Sequence, residues 1–161
     1  MKIVKYSIGA ILVLYFQILV APKLSILGII PFFILPFIVF ISMNLRFIES
    51  ATIALIMGLA IDLLNPYLLG LNSMMLLIMT LLVTKYHSSV TKDKIGPLVI
   101  SILLINLAYL VPYFFLKGII LGFELVLLGL FPLELFFNSA ITLIFIILLN
   151  VIQKLKLVID V

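Results

Sequence analysis

The stretch Gly58-Leu59-Ala60-Ile61-Asp62-Leu63-Leu64-Asn65-Pro66-Tyr67-Leu68-Leu69-Gly70-Leu71-Asn72 carries one apolar run down to a single carboxylate, through a turn, and into a second apolar run. Asn65-Pro66 and Gly70 are the turn formers, and the proline disfavours helix at the residue before it. The flanking runs, 47–64 and 71–84, are apolar on every face, so the stretch reads as an antiparallel hairpin of two lipid-compatible helices. Asp62 stands near the C-terminal end of the first helix, where it meets the negative end of that helix's own dipole. Asn72-Ser73 forms a good N-cap pair for the second helix, whose first N–H groups make a positive end. The expectation is that Asp62 accepts hydrogen bonds from the Asn72–Ser73 region and pins the two helices, with Gly58 on the same face at i−4. The functional alternative is a proton or cation site. On this reading Asp62→Asn leaves a pinned hairpin largely standing, because an amide still accepts, and disables a site that needs negative charge.

Outward from the hairpin the rest of the chain has the same character. Of 161 residues, 66% are hydrophobic and 10% charged, with a mean hydropathy of +1.52. An average soluble domain has roughly 45–50% apolar and about 25% charged residues. Ten Lys/Arg and six Asp/Glu could not cover the surface of a soluble globule of this length, which excludes a soluble enzyme, a nucleic-acid binder and a disordered chain. One spanning helix takes about 20 apolar residues, so six use roughly 120 and leave about 40 for loops and tails. The expected fold class is therefore an all-α polytopic membrane protein, a compact six-helix transmembrane bundle in one integral domain.

Breaks in hydropathy place the spans at about 4–21, 26–44, 47–64, 71–84, 95–116 and 132–153. Pro22-Lys23 stops the first, and Pro31 and Pro36 predict a kink in the outer half of the second. Asn44, Arg46 and Glu49 precede the third, and 85–94 is the plainly water-exposed loop. Lys2 and Lys5 ahead of the run 8–20 imitate a secretory leader. Ala21 is followed by Pro22 instead of a cleavage site, however, so this reads as a retained first span. The segment 118–131 would reach only about 21 Å as a helix, short of the ~30 Å bilayer core. It reads as re-entrant or interfacial, or as an extension of the sixth helix beyond the bilayer.

Charge parity favours six spans over seven. With the N-terminus inside, Lys2, Lys5, Arg46, Lys85, Lys92, Lys94, Lys154 and Lys156 all fall on the cytoplasmic side, leaving Lys23 and Lys117 outside. Both termini are then cytoplasmic, with Tyr6 and Tyr86 near the inner interface and Tyr67 and Tyr113 near the outer one. The net charge of +4 belongs to membrane orientation, not to a nucleic-acid partner.

In so apolar a chain the informative residues are the polar ones within spans, because an ionisable group in the bilayer is costly unless paired or facing a cavity. Asp62, Glu124 and Glu134 are the carboxylates concerned. Glu134, Asn138 and Thr142 recur at i, i+4, i+8 as one stripe, and Asn106, Tyr109 and Tyr113 form another beside Pro112. Facing stripes would satisfy each other by interhelical hydrogen bonds or line an outward-opening hollow able to take a small molecule. Glu134, just after Pro132-Leu133, would also gain from the positive end of its helix. Gly118 and Gly122 have the small-xxx-small spacing of a close helix approach. His87 reads as a solvated loop residue. No catalytic set can be assembled around this single histidine, no phosphate-binding loop or metal-ligand spacing is present, and zero cysteines exclude thiol chemistry. The expectation is no enzyme, no metal and no cofactor.

The 58–72 stretch resembles the signature of the rod shape-determining protein MreD family: a glycine-bearing apolar helix, Asp-Leu-Leu, a short turn with proline, then Leu-Gly-Leu followed by Asn or His. Gly58, Asp62, Asn65, Pro66, Gly70 and Asn72 carry the match. Tyr67-Leu68 intervene between Pro66 and Leu69-Gly70, where family members often read Pro-Leu-Gly directly. Length, span count and short loops are similar too, so the resemblance extends over the chain. It implies a non-catalytic scaffold of the bacterial cell-elongation machinery for peptidoglycan synthesis, multi-pass in the cytoplasmic (inner) membrane. The partners it implies are the bitopic protein MreC, the glycosyltransferase RodA with its partner transpeptidase, and MreB filaments, alongside the lipid bilayer. It also implies a fold similar to the substrate-binding subunits of energy-coupling-factor transporters. The candidate docking surfaces are the hairpin 62–72 and the segment 118–131. The competing reading is such a vitamin-transporter subunit, with Asn106, Tyr109, Tyr113, Glu124, Glu134 and Asn138 around a pocket. Against it, the first span has only Ala10 and Ala21 where those subunits often carry Ala-xxx-Ala. A small channel or proton-coupled carrier would rest on Asp62 and Glu134 alone.

Overall fold

The computed structural model describes residues 2–86, 95–122 and 125–159, and its regular elements are helices, with six α-helices among these residues. These are α1 (Lys2–Leu19), α2 (Ile34–Ser42), α3 (Phe47–Asp62), α4 (Leu71–Tyr86), α5 (Ile95–Leu121) and α6 (Leu125–Ile159). Within α5 and α6, Val99–Ile120 and Gly129–Leu149 are long and apolar enough to cross a membrane, at mean hydropathies of 2.2 and 2.1. Ile3–Leu19 and Leu71–Tyr86 are shorter apolar helices.

The core is organised around α2. Its sequence is apolar on every face, and a helix of that kind is stable only when surrounded. All nine of its residues are buried, and it packs against α1, α3, α4 and α6. Ile34, Leu35, Ile38 and Ile41 meet Met57 of α3, Leu76 and Met79 of α4 and Ile102 of α5 in the centre. Ser42 hydrogen-bonds back to the Ile38 carbonyl, so its hydroxyl brings no unsatisfied polarity into this interior. At the start of α3 the Glu49 carboxylate accepts the Arg46 backbone N–H at 3.3 Å, placing negative charge on the favourable end of that helix.

The second apolar segment, expected as one kinked helix over 26–44, is helical only from Ile34 to Ser42. Ahead of it the chain makes a 3-10 turn at Ala21–Leu24, then a tight reversal in which Ile26 and Ile29 exchange backbone hydrogen bonds of 3.1 and 2.9 Å. Leu27 and Gly28 at the reversal have φ of 53° and 80°. Two successive positive φ values define the primed turn that joins a two-residue hairpin, and Gly28 adopts its half without a Cβ penalty. Pro36 sits in the first turn of α2, where its missing N–H removes no helical bond. Hydropathy does not register this arrangement because the irregular segment is as apolar as a helix.

Irregular backbone amid apolar helices must find partners within the protein. Gln17 of α1 supplies two: its Nε2 donates to the Pro31 carbonyl at 3.0 Å, and its Oε1 accepts the Phe33 N–H at 2.7 Å. Asn138 of α6 supplies the third, accepting the Phe32 N–H on Oδ1 at 3.1 Å. We expect Gln17→Leu, which removes both of its bonds at nearly constant volume, to cost about 2–4 kcal/mol. Gln17→Glu keeps only the acceptor and should fall between, as read from thermal unfolding midpoints in detergent.

The segment 118–131 is divided between the last turn of α5 and the first turns of α6. Gly122, at φ 93°, donates its N–H to the Gly118 carbonyl at 2.9 Å and so closes α5 with a left-handed cap. Nothing lies within 4 Å of where a Gly122 side chain would start, so Gly122 serves as a helix stop. Helix α6 starts at Leu125, seven residues before Pro132, so Glu134 lies more than two turns in. A helix end acts only over its first turn, and the dipole explanation for Glu134 fails on that ground. His87 and the rest of loop 87–94, and Glu124, lie outside the described residues.

Candidate functional site

The α3–α4 hairpin closes on Asp62. This fully buried carboxylate accepts four hydrogen bonds from the start of α4. Oδ1 takes the Asn72 N–H at 3.0 Å and the Asn72 Nδ2 at 2.9 Å; Oδ2 takes the Ser73 N–H at 3.0 Å and the Ser73 hydroxyl at 2.6 Å. Asp62 thus acts as a remote cap, donated by one helix to two free backbone N–H groups of the next, where negative charge is favoured. The geometry requires the two backbones to touch. A Cβ built on Gly58 would stand 2.4 Å from the Ser73 Cα and 2.7 Å from the Ser73 nitrogen, so only glycine admits this approach.

The connection between the two helices is shaped by the other motif residues. The Asn65 N–H donates to the Asp62 carbonyl, and Pro66 opens a 3-10 turn, Pro66–Leu68, that buries Leu68. Gly70, at φ 90°, then turns the chain into α4. The Asn65 side chain is exposed and lines a cavity; no other role for it follows from its contacts.

The pairing of both oxygens corrects the expectation for Asp62→Asn. An asparagine has one acceptor oxygen, and its NH2 would face two donors whichever way it is turned. Pin and charged site therefore both suffer from this substitution, and stability must be measured alongside function to separate them.

The hydrogen bonds continue beyond the hairpin. Asn72 Oδ1 accepts the Tyr109 hydroxyl at 3.0 Å, linking α3, α4 and α5 through one carboxylate and one amide. The Tyr109 ring stacks on Phe32 at 5.3 Å between centroids and on Tyr113 at 5.7 Å. Deeper in the bundle, Asn106 donates to the Thr142 hydroxyl at 3.2 Å and to the Ile102 carbonyl at 3.0 Å. Thr142 in turn bonds the Asn138 carbonyl at 2.8 Å. The stripes on α5 and α6 thus meet at Asn106–Thr142, while Asn138 and Tyr109 turn to the entry of α2 and to α4. Two members of this set escaped sequence reasoning: Gln17, whose signal was an amide within an otherwise apolar span, and Phe32, which carried none.

Between α5, α6 and the 20–33 and 63–70 connections lies a cavity of about 440 Å³. Asn72, Asn106, Tyr109 and Asn138 contribute to its wall together with Gln17, and Tyr113, Lys117 and Glu134 line it on the side of the α5–α6 turn. Lys117 and Glu134 both line it, yet no ion pair within 4.0 Å is formed among the described residues. No group of three or more His, Cys, Asp or Glu able to hold a metal occurs among the described residues.

A bundle of apolar helices, tied together by buried amides and one fully capped carboxylate, is the build of a helical membrane protein. The family model for rod shape-determining protein MreD matches residues 1–158, and the chain belongs to that family. Its members are membrane proteins of rod shape determination, a role that is in general non-enzymatic. Comparison with curated proteins and with solved structures produced no match.

Proposed function

We propose that this chain is a multi-pass scaffold of the bacterial cell-elongation machinery, with both termini in the cytoplasm, that holds MreC and the wall synthases together without catalysing a step itself. The observation that supports this reading is the state of Asp62. It is the chain's most buried carboxylate among the described residues, and all four of its hydrogen bonds go to the neighbouring helix end. A group so committed is poorly suited to shuttle protons or bind cations in turn.

The same hairpin leaves apolar side chains outside. Leu63, Leu64, Tyr67 and Leu69 on the α3–α4 connection are all exposed, Tyr67 at 81%. A rigid turn presenting such side chains suits docking of a partner at the outer membrane interface. Glycan polymerisation and cross-linking would belong to RodA and its partner transpeptidase, and MreB filaments would be reached directly or through MreC. The transporter-subunit reading draws no support from the family match.

Affinity purification of the tagged protein from native membranes tests the scaffold. The expected result is recovery of an MreC-like bitopic protein with wall synthases, reduced by Tyr67→Asp at an unchanged unfolding midpoint. Recovery of a pair of ATPases with a coupling subunit would overturn it.

A further inference from the structure

We propose that the cavity beside α5 and α6 binds a small zwitterion, its ammonium end held by Glu134 and its anionic end by Lys117. The inference goes beyond the scaffold reading and does not rest on it. The volume of about 440 Å³ falls within the range of small-molecule sites. It suits a ligand the size of an amino acid or a phosphoethanolamine group.

Three features of the lining define the chemistry. Lys117 and Glu134 come from different helices, carry opposite charges and are both half-buried at the wall, yet among the described residues neither has an ion-pair or hydrogen-bond partner within contact distance. Charges withdrawn from water into a bundle this apolar are costly until paired. Asn138 supplies the third feature. Its side chain is 4% exposed, and its Oδ1 is held by the Phe32 N–H, which fixes the amide orientation. The NH2 group is thereby turned away from Phe32 and forms no hydrogen bond among the described residues, and Asn138 lines the cavity. A donor at a cavity wall with no protein acceptor is satisfied when a ligand oxygen meets it.

These features discriminate among ligand classes. An anion alone would leave Glu134 unpaired, and a cation alone would leave Lys117 unpaired. An apolar occupant would strand both charges and the Asn138 amide. A molecule with an anionic group and a primary ammonium a few bonds apart satisfies all three. That chemistry is shared by free amino acids and by the headgroup of phosphatidylethanolamine.

The test is calorimetric titration of the full chain in nanodiscs of phosphatidylcholine and phosphatidylglycerol. The probes are β-alanine, γ-aminobutyrate and O-phosphoethanolamine, set against propionate, inorganic phosphate and ethylamine. At least one zwitterion should bind saturably, and at least about tenfold more tightly than the singly charged compounds, the worth of one charge-assisted hydrogen bond. Glu134→Gln and Lys117→Met should each abolish that preference. Absence of saturable binding by every zwitterion, or equal binding of singly charged analogues to the unsubstituted protein, overturns the proposal without reliance on a variant. Repeating the titration in phosphatidylethanolamine nanodiscs separates the sources. Weakened binding identifies the lipid headgroup as the natural occupant, unchanged binding a soluble zwitterion, and both outcomes require the Lys117–Glu134 site.

Discussion

Gly58→Ala is expected to lower the stability of the protein by about 3–5 kcal/mol, a large effect for the addition of one methyl group. The new Cβ would meet the Ser73 Cα at 2.4 Å, the Ser73 nitrogen at 2.7 Å and the Asn72 carbonyl carbon at 3.1 Å. All three are backbone atoms of α4, so no side-chain rotation relieves the clash, and the helices must separate. The part of α4 that is displaced is the part Asp62 holds. Opening by an ångström would stretch four hydrogen bonds of 2.6–3.0 Å beyond useful length. Intrinsic helix propensity acts in the opposite direction, favouring alanine over glycine by about 1 kcal/mol in a helix interior. The sign of the measured change therefore decides the matter. A lower unfolding midpoint in detergent supports backbone contact at Gly58, and a higher one refutes it.

Asp62→Ala should be about as damaging, at roughly 3–5 kcal/mol, and Asp62→Asn should cost about 1–3 kcal/mol. Alanine leaves two backbone N–H groups, the Asn72 amide and the Ser73 hydroxyl without their acceptor in a buried setting. Asparagine restores one oxygen but places its NH2 against the donors on the other side. The expected order of stability is aspartate, asparagine, alanine, and rod shape in complemented cells should decline in the same order. A proton or cation site would behave differently: both variants would lose function fully, with folding little changed. Paired measurement of unfolding midpoints and cell shape separates the two, and a stable but inactive Asp62→Asn protein would exclude the structural role.

The legible parts of this site are those whose partners are close in sequence or repeat at helical spacing. Asp62 and Asn72-Ser73 are ten and eleven residues apart, and the chemistry of helix ends made them a pair before any tertiary contact was considered. Asn106 fell on a stripe spaced i, i+3, i+7 and Thr142 on one spaced i, i+4, i+8, both patterns that identify one helix face. Gln17 was not legible, because the groups it satisfies, the Pro31 carbonyl and the Phe33 N–H, need a partner only once the chain there is non-helical. Glu134 was misjudged because a proline next to a carboxylate suggests a helix start. Pro132 instead lies inside α6, so the carboxylate lines the cavity away from any helix end.

By itself the sequence determined the class of protein, the apolar helices, the hairpin around Asp62 and the family signature, because burial of apolar area and helix capping are local or additive properties of residues. Only the tertiary structure decided that the second apolar segment is a short buried helix with an irregular approach, that Gln17 and Asn138 sustain it, and that Lys117 and Glu134 share one cavity. Those outcomes depend on which backbone groups lack a partner and which distant side chain reaches them, and hydropathy contains no term for either.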